Sequence, residues 1–117
     1  MTRKLKRVMV VDDELEWQDR ALSAVAGHAN IAFSSTSQAL LGMEGKTFDL
    51  IILDNYIYGH NAGAEMLHYL RSCGDQTPVI IYSSDLTPMA ERQIADDGGH
   101  FVRKTRENTD ALRKKVE

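Results

Sequence analysis

The chain carries a single cysteine, Cys73, which excludes an intrachain disulfide and fits a reducing compartment. No histidine or basic residue adjoins Cys73 in the sequence, so it reads as a spare thiol rather than a reactive one. A positive excess is also missing: 14 Lys and Arg stand against 17 Asp and Glu, a formal net charge of −3. That balance argues against a broad electrostatic contact with nucleic acid. The basic clusters Arg3-Lys4-Lys6-Arg7 and Arg113-Lys114-Lys115 read as local, solvated charge. No apolar run approaches the ~20 residues needed to cross a bilayer, and the basic N-terminus leads into a strand rather than the core of a secretory signal. A cytoplasmic protein is expected, with no membrane contact and no direct nucleic-acid contact. The four histidines, His28, His60, His68 and His100, lack the spacing of a metal site and read as solvent-facing or turn residues. There is no repeat, low-complexity tract or linker.

What remains is an ordinary globular composition, 43% hydrophobic and 26% charged over 117 residues, enough for one core and one domain. Residues 1–117 are expected to form a single domain. Short apolar runs recur at Val8 to Val11, Ile31 to Phe33, Leu50 to Leu53, Val79 to Tyr82 and Phe101 to Val102. Such runs read as strands, the longest of them buried on both faces.

Segments with helical spacing separate the runs. The first, about Glu14 to Ala26, places Leu15, Ala21, Leu22 and Val25 inward. The second, about Ser37 to Glu44, takes Ser35 or Thr36 as its cap and turns Ala39, Leu40 and Met43 inward. The third runs from about Ala64 to Ser72 with Met66, Leu67 and Leu70 on one stripe. Thr87-Pro88 opens the fourth, a cap followed by proline at the first helical position, and it continues to about Asp96. The fifth begins near Asn108 and uses Ala111, Leu112 and Val116 inward. Strands alternating with helices call for a parallel sheet covered on both faces, a doubly wound α/β layout.

The chemistry sits at the ends of the apolar runs. Asp12-Asp13 follows the first and Asp54 follows the third. Parallel strands deliver such residues to the carboxyl edge of the sheet, where function concentrates in this architecture. Three acids gathered there repel one another unless a cation lies among them, so the pattern implies a divalent ion.

Four stretches in order, carrying five features, resemble the receiver domain of bacterial two-component response regulators, nearly end to end. Val10-Val11-Asp12-Asp13-Glu14 is similar to that family's first-strand acidic pocket. Phe48-Asp49-Leu50-Ile51-Ile52-Leu53-Asp54 resembles the third strand and its phosphoacceptor aspartate. Pro78-Val79-Ile80-Ile81-Tyr82-Ser83-Ser84 resembles the fourth strand with its Ser/Thr switch. Gly98-Gly99-His100-Phe101-Val102-Arg103-Lys104 resembles the fifth, with a switch aromatic three residues before an essential lysine.

The resemblance implies a five-stranded parallel sheet of order 2-1-3-4-5, helices on both faces, the flavodoxin-like receiver fold. It implies Asp54 as nucleophile and site of phosphorylation, and Mg²⁺ held by Asp12, Asp13, Asp54 and the main-chain carbonyl of Tyr56. Lys104 and Ser83 would bind phosphoryl oxygens, and Ser83 with Phe101 would form the switch. The implied partners are a histidine kinase or histidine phosphotransfer protein and a downstream protein. The resemblance implies a switch rather than a metabolic enzyme, one that supplies its own phosphotransfer and autodephosphorylation chemistry.

Two positions depart from the family's pattern. Tyr58 stands where the loop after the acceptor usually has proline, and the stretch Asn55 to Gly63 carries one extra residue. Thr105 follows Lys104 in place of a second proline, for which a trans connection is expected. Tyr56 could hinder water attack, and Asp85 could orient water across the site. The short last helix fits a trimmed portion of a longer regulator. The alternative function is a pseudo-receiver, an interaction module that works without phosphorylation; a small Mg²⁺-dependent phosphatase has no segment for a substrate pocket.

Overall fold

The computed structural model describes residues 5–105 and 110–116. Four-residue apolar runs need cover on both faces, and the three longest occupy the middle of the sheet. These are β1 (Arg7–Val11), β3 (Leu50–Leu53) and β6 (Val79–Ser83), each buried almost throughout. At the edges lie β2 (Ala29–Phe33) and β7 (His100–Arg103), whose side chains are partly exposed. The sheet order is β2-β1-β3-β6-β7 and every pairing is parallel. This is the expected 2-1-3-4-5 order. The numbers differ only because a small antiparallel hairpin, β4 (Tyr56–Ile57) and β5 (His60–Asn61), intervenes after β3.

Strand side chains alternate between faces, so the sheet separates two cores. Val8, Val10, Ile52, Ile80 and Tyr82 pack on one side beneath α1 (Leu15–Ala24) and α5 (Asp110–Val116). Met9, Val11, Ile51, Leu53 and Ile81 pack on the other, against α2 (Thr36–Gly42), α3 (Ala62–Ser72) and α4 (Pro88–Asp96). Register keeps the layers aligned: Val10 lies opposite Ile52, and Ile52 opposite Ile80.

Helix starts follow side-chain chemistry. Ser35 accepts from Gln38 N at 3.2 Å and Thr87 from Ala90 N at 3.1 Å, each satisfying a first-turn amide. Pro88 occupies the first position of α4, where no amide donor is required.

Several expected helix positions need correction. Leu15 is 70% exposed, whereas Trp17 and Gln18 are buried. The inward stripe of α1 runs through Trp17, Gln18, Ala21, Ala24 and Val25, and at 3.6 residues per turn Leu15 falls outside it. Ala111 is exposed while Leu112 and Val116 are buried, since a helix this short turns only one i, i+4 pair toward the sheet. The second helix ends at Gly42 rather than Glu44. Asn108, the expected start of the last helix, lies outside the described residues.

Candidate functional site

The ladder hydrogen bonds that build the sheet also place the site. Beyond the strand ends, Asp12 N donates to Phe33 O at 3.0 Å, Asp54 N to Val11 O at 2.9 Å, and Lys104 N to Ser83 O at 2.9 Å. Each backbone is thus fixed one residue past the end of its strand. Three charged side chains from three strands meet at the same edge.

Lys104 Nζ lies 2.8 Å from Asp12 Oδ2 and 3.3 Å from Asp54 Oδ1, with all three side chains no more than 4% exposed. The other oxygen of Asp12 accepts from Glu14 N at 3.0 Å, which ties the carboxylate to the start of α1. Asp13 is half-buried. Its Oδ2 accepts from Tyr58 N at 3.1 Å, while its Oδ1 is buried with no hydrogen-bond partner among the described residues. One oxygen from each of Asp12, Asp13 and Asp54 lies within 4.8 Å of the others.

The electrostatics follow from that crowding. Burial, against the opposing pull of Lys104, raises the Asp12 carboxyl above its ordinary value. Burial and the charge of Asp12 push Asp54 up to about 6, although Lys104 works against both. One ammonium does not compensate three carboxylates, two of them buried. The orphaned Asp13 oxygen and the all-oxygen donor set fit a hard divalent cation, which prefers such ligands.

Ser83 ends β6 and is buried. Its hydroxyl reaches the Asp85 carbonyl only at 3.5 Å, a long contact that does little to fix the rotor. Phe101 lies opposite Ile81 in the β6–β7 pair and is half-buried against the core under α3 and α4. Ser83 shares that face, two residues beyond Ile81 on the strand. Tyr56, partly buried, opens the hairpin two residues after Asp54. The sheet edge therefore brings together Asp12, Asp13, Asp54 and Lys104, with Ser83 at the end of the adjoining strand.

The stretch after Asp54 is a hairpin rather than a plain loop. Tyr58 and Gly59 have φ of 52° and 77°, the positive values that both central residues of a type I′ turn require. Asn55, fully buried, holds this hairpin to the sheet. Its Oδ1 accepts from Ala64 N at 2.9 Å, its Nδ2 donates to Asn61 Oδ1 at 3.1 Å, and its carbonyl accepts from Gly63 N at 3.1 Å. Gly63 permits the close approach: a Cβ there would lie 2.6 Å from the Asp54 carbonyl oxygen and 2.7 Å from Asn55 Cα. No peptide bond is cis among the described residues, so Lys104–Thr105 is trans as expected.

Two supporting residues lie outside the motifs read from sequence. Gln18 Nε2 donates to Asp12 O at 2.8 Å and to Phe33 O at 3.2 Å, joining the ends of β1 and β2. Its place on the stripe with Ala21 and Val25 is the available signal, a polar residue among inward ones. Trp17 lies on α1 with its ring 5.2 Å from Lys104 Nζ; only the three-dimensional structure brings these together.

Comparison with known proteins agrees with this architecture. A family model described as the response regulator receiver domain matches residues 8–117. The sensory/regulatory protein RpfC of Xanthomonas campestris pv. campestris is 33% identical over 97 residues, covering 77% of this chain and 13% of that protein. The chain therefore spans a small part of the curated relative it matches. A CheY-like response regulator receiver domain protein from Methanospirillum hungatei superposes with a TM-score of 0.82 at 18% identity, covering 97% of this chain and 91% of that one. The chemotaxis response regulator CheY4 of Vibrio cholerae gives 0.81 at 21% identity, with 97% of each chain covered. At these identities the structural likenesses speak for the fold, and the family match speaks for descent: from residue 8 onward, the chain belongs to the response regulator receiver domains of two-component signalling.

Proposed function

We propose that this receiver is a phosphoacceptor switch in which Asp54 takes a phosphoryl group from the phosphohistidine of a histidine kinase or histidine phosphotransfer protein. The observation that carries the reading is the buried ammonium of Lys104 bridging Asp12 and Asp54. A surface role would not require such a costly group at the strand ends.

In the transfer, an Asp54 carboxylate oxygen attacks phosphorus and the phosphorus–nitrogen bond breaks. The bonding pair returns to the imidazole, and Asp54 becomes an acyl phosphate. Asp12, Asp13 and Asp54 with the Tyr56 carbonyl would hold Mg²⁺, whose charge, when bound, offsets that of the carboxylates and phosphoryl oxygens. Lys104 supplies a compact positive charge to one phosphoryl oxygen. Ser83 donates to another, because its hydroxyl has only a long contact to give up. The movement of Ser83 vacates space into which Phe101, half-buried on the same face, can turn. Phosphorylation thereby biases a two-state equilibrium and alters the surface read by a downstream protein.

No helix among the described residues is long and apolar enough to cross a membrane, and the lone cysteine supports a cytoplasmic setting. One contact favours the second reading, an interaction module that works without phosphorylation: the Tyr58 amide occupies one oxygen of Asp13. Intact-mass measurement after treatment with phosphoramidate and Mg²⁺ separates the two. The wild type gains one phosphoryl mass and Asp54→Ala gains none; no gain by a wild type that still binds Mg²⁺ favours the second reading.

A further inference from the structure

Lys104 is held at its tip by two carboxylates, and the same ammonium also lies over two aromatic rings. Its Nζ lies over the Trp17 ring at 5.2 Å from the centroid and over the Tyr82 ring at 6.0 Å. The two rings meet edge to face, with centroids 6.0 Å apart and planes at 79°. Trp17 is 6% exposed and Tyr82 is 2% exposed, so the contact with the cation is shielded from water. Arg20, paired with Glu16 at 3.5 Å, lies over the same indole at 5.2 Å.

The geometry points to Trp17 and Tyr82 as positioning residues that form an aromatic seat for Lys104 and keep its ammonium aimed at the phosphoryl group on Asp54. This inference rests on the phosphoacceptor reading. An ammonium has three N–H donors. Asp12 and Asp54 engage two of them, and a phosphoryl oxygen requires another. A ring face attracts the cation through its quadrupole without consuming a donor. The seat can therefore hold Lys104 laterally while leaving its hydrogen bonds to the acids and the incoming group.

The Tyr82 hydroxyl supports this assignment. It is buried and has no hydrogen-bond partner among the described residues, so hydrogen bonding does not explain the placement of this ring. Thr105 gives the same emphasis from the chain side: the backbone leaves Lys104 through an ordinary trans bond, and the side-chain environment must fix the ammonium.

The test combines spectroscopy with transfer kinetics in the intact chain. In wild type, ring current shifts the Lys104 ε-methylene protons upfield, and Trp17→Leu removes most of that shift. With phosphoramidate and Mg²⁺, Trp17→Leu is phosphorylated about three- to tenfold more slowly, the range of a partly desolvated cation–π contact. Trp17→Phe, which retains a π face, falls between the two. In a Lys104→Met background, Trp17→Leu produces no further slowing, as expected if it acts through the lysine.

An unshifted Lys104 in wild type overturns the seat. So does an equal slowing by Trp17→Leu with and without the lysine. If Trp17→Leu does not fold, Trp17→Phe and the wild-type shift decide the matter. If wild type accepts no phosphoryl group, the phosphoacceptor reading fails on its own, and the Lys104 shift still judges the seat.

Discussion

Replacing Asp54 with asparagine should stabilise the metal-free protein at neutral pH, although it removes the proposed acceptor. Burial and Asp12 carry the Asp54 carboxyl from 3.8 to about 6. A carboxyl raised in this way retains its proton in the native state after the unfolded chain has released it. The native state is then progressively penalised as pH rises from about 4 to about 6, and the penalty is constant above that window. The side chain is only 4% exposed, so solvent screening provides little discount. Linkage gives a cost of about 3 kcal/mol at pH 7.5 and about 1 kcal/mol at pH 4.5. The substituted amide would resemble the neutral carboxyl in shape and avoid that cost. Urea unfolding in chelator should therefore show Asp54→Asn more stable than wild type by about 2 to 3 kcal/mol at pH 7.5, roughly 10 °C in Tm for a domain of this size. The gap should shrink to about 1 kcal/mol at pH 4.5. Mg²⁺ should narrow it at pH 7.5 by binding wild type more tightly and lowering the carboxyl pKa. A variant no more stable than wild type at pH 7.5, or a gap independent of pH, would refute the view that desolvation dominates this site.

Other substitutions probe the supports of the site. Gly63→Ala should cost about 2 kcal/mol and slow phosphorylation, since its Cβ meets the backbone of Asp54 and Asn55 rather than a movable side chain; chemical denaturation and intact-mass time courses measure both effects. Tyr58→Asn should add about 0.5 to 1 kcal/mol, because asparagine tolerates the positive φ found there and the bond to Asp13 comes from the main chain. A loss of thermal stability would show that the exposed Tyr58 ring packs more productively than its 68% exposure indicates. Tyr82→Phe should add about 1 kcal/mol by removing a buried hydroxyl without a partner, with phosphorylation rate unchanged; a loss of stability in thermal melts would reveal that the hydroxyl is satisfied.

The parts legible in sequence are those governed by one repeated physical demand. Buried parallel strands must be apolar throughout, so β1, β3 and β6 stand out as runs. The edge strands extend beyond their apolar runs because Ala29, Asn30, His100 and Arg103 are exposed and interrupt the pattern. Strand order required the family resemblance, since periodicity says nothing about neighbours. The hairpin after Asp54 is hidden for a local reason: Tyr58 does not advertise a positive φ as asparagine or glycine would. Leu15 misleads through hydrophobicity alone, as it lies off the helical stripe that Trp17, Gln18, Ala21, Ala24 and Val25 turn inward.

The same distinction applies within the site. Sequence identifies which residues leave the strands, because Asp12, Asp54 and Lys104 each follow an apolar run or its edge equivalent. It does not supply the surroundings that decide their chemistry. An exposed aspartate would titrate near 3.8, whereas the carboxyl of Asp54 reaches about 6 because the sheet removes its water and places Asp12 beside it. Lys104 opposes that rise, and its ammonium lies over the ring of Trp17 from another element. The three carboxylates outnumber the one ammonium that pairs with two of them, so folding leaves an excess of negative charge that a divalent cation would offset.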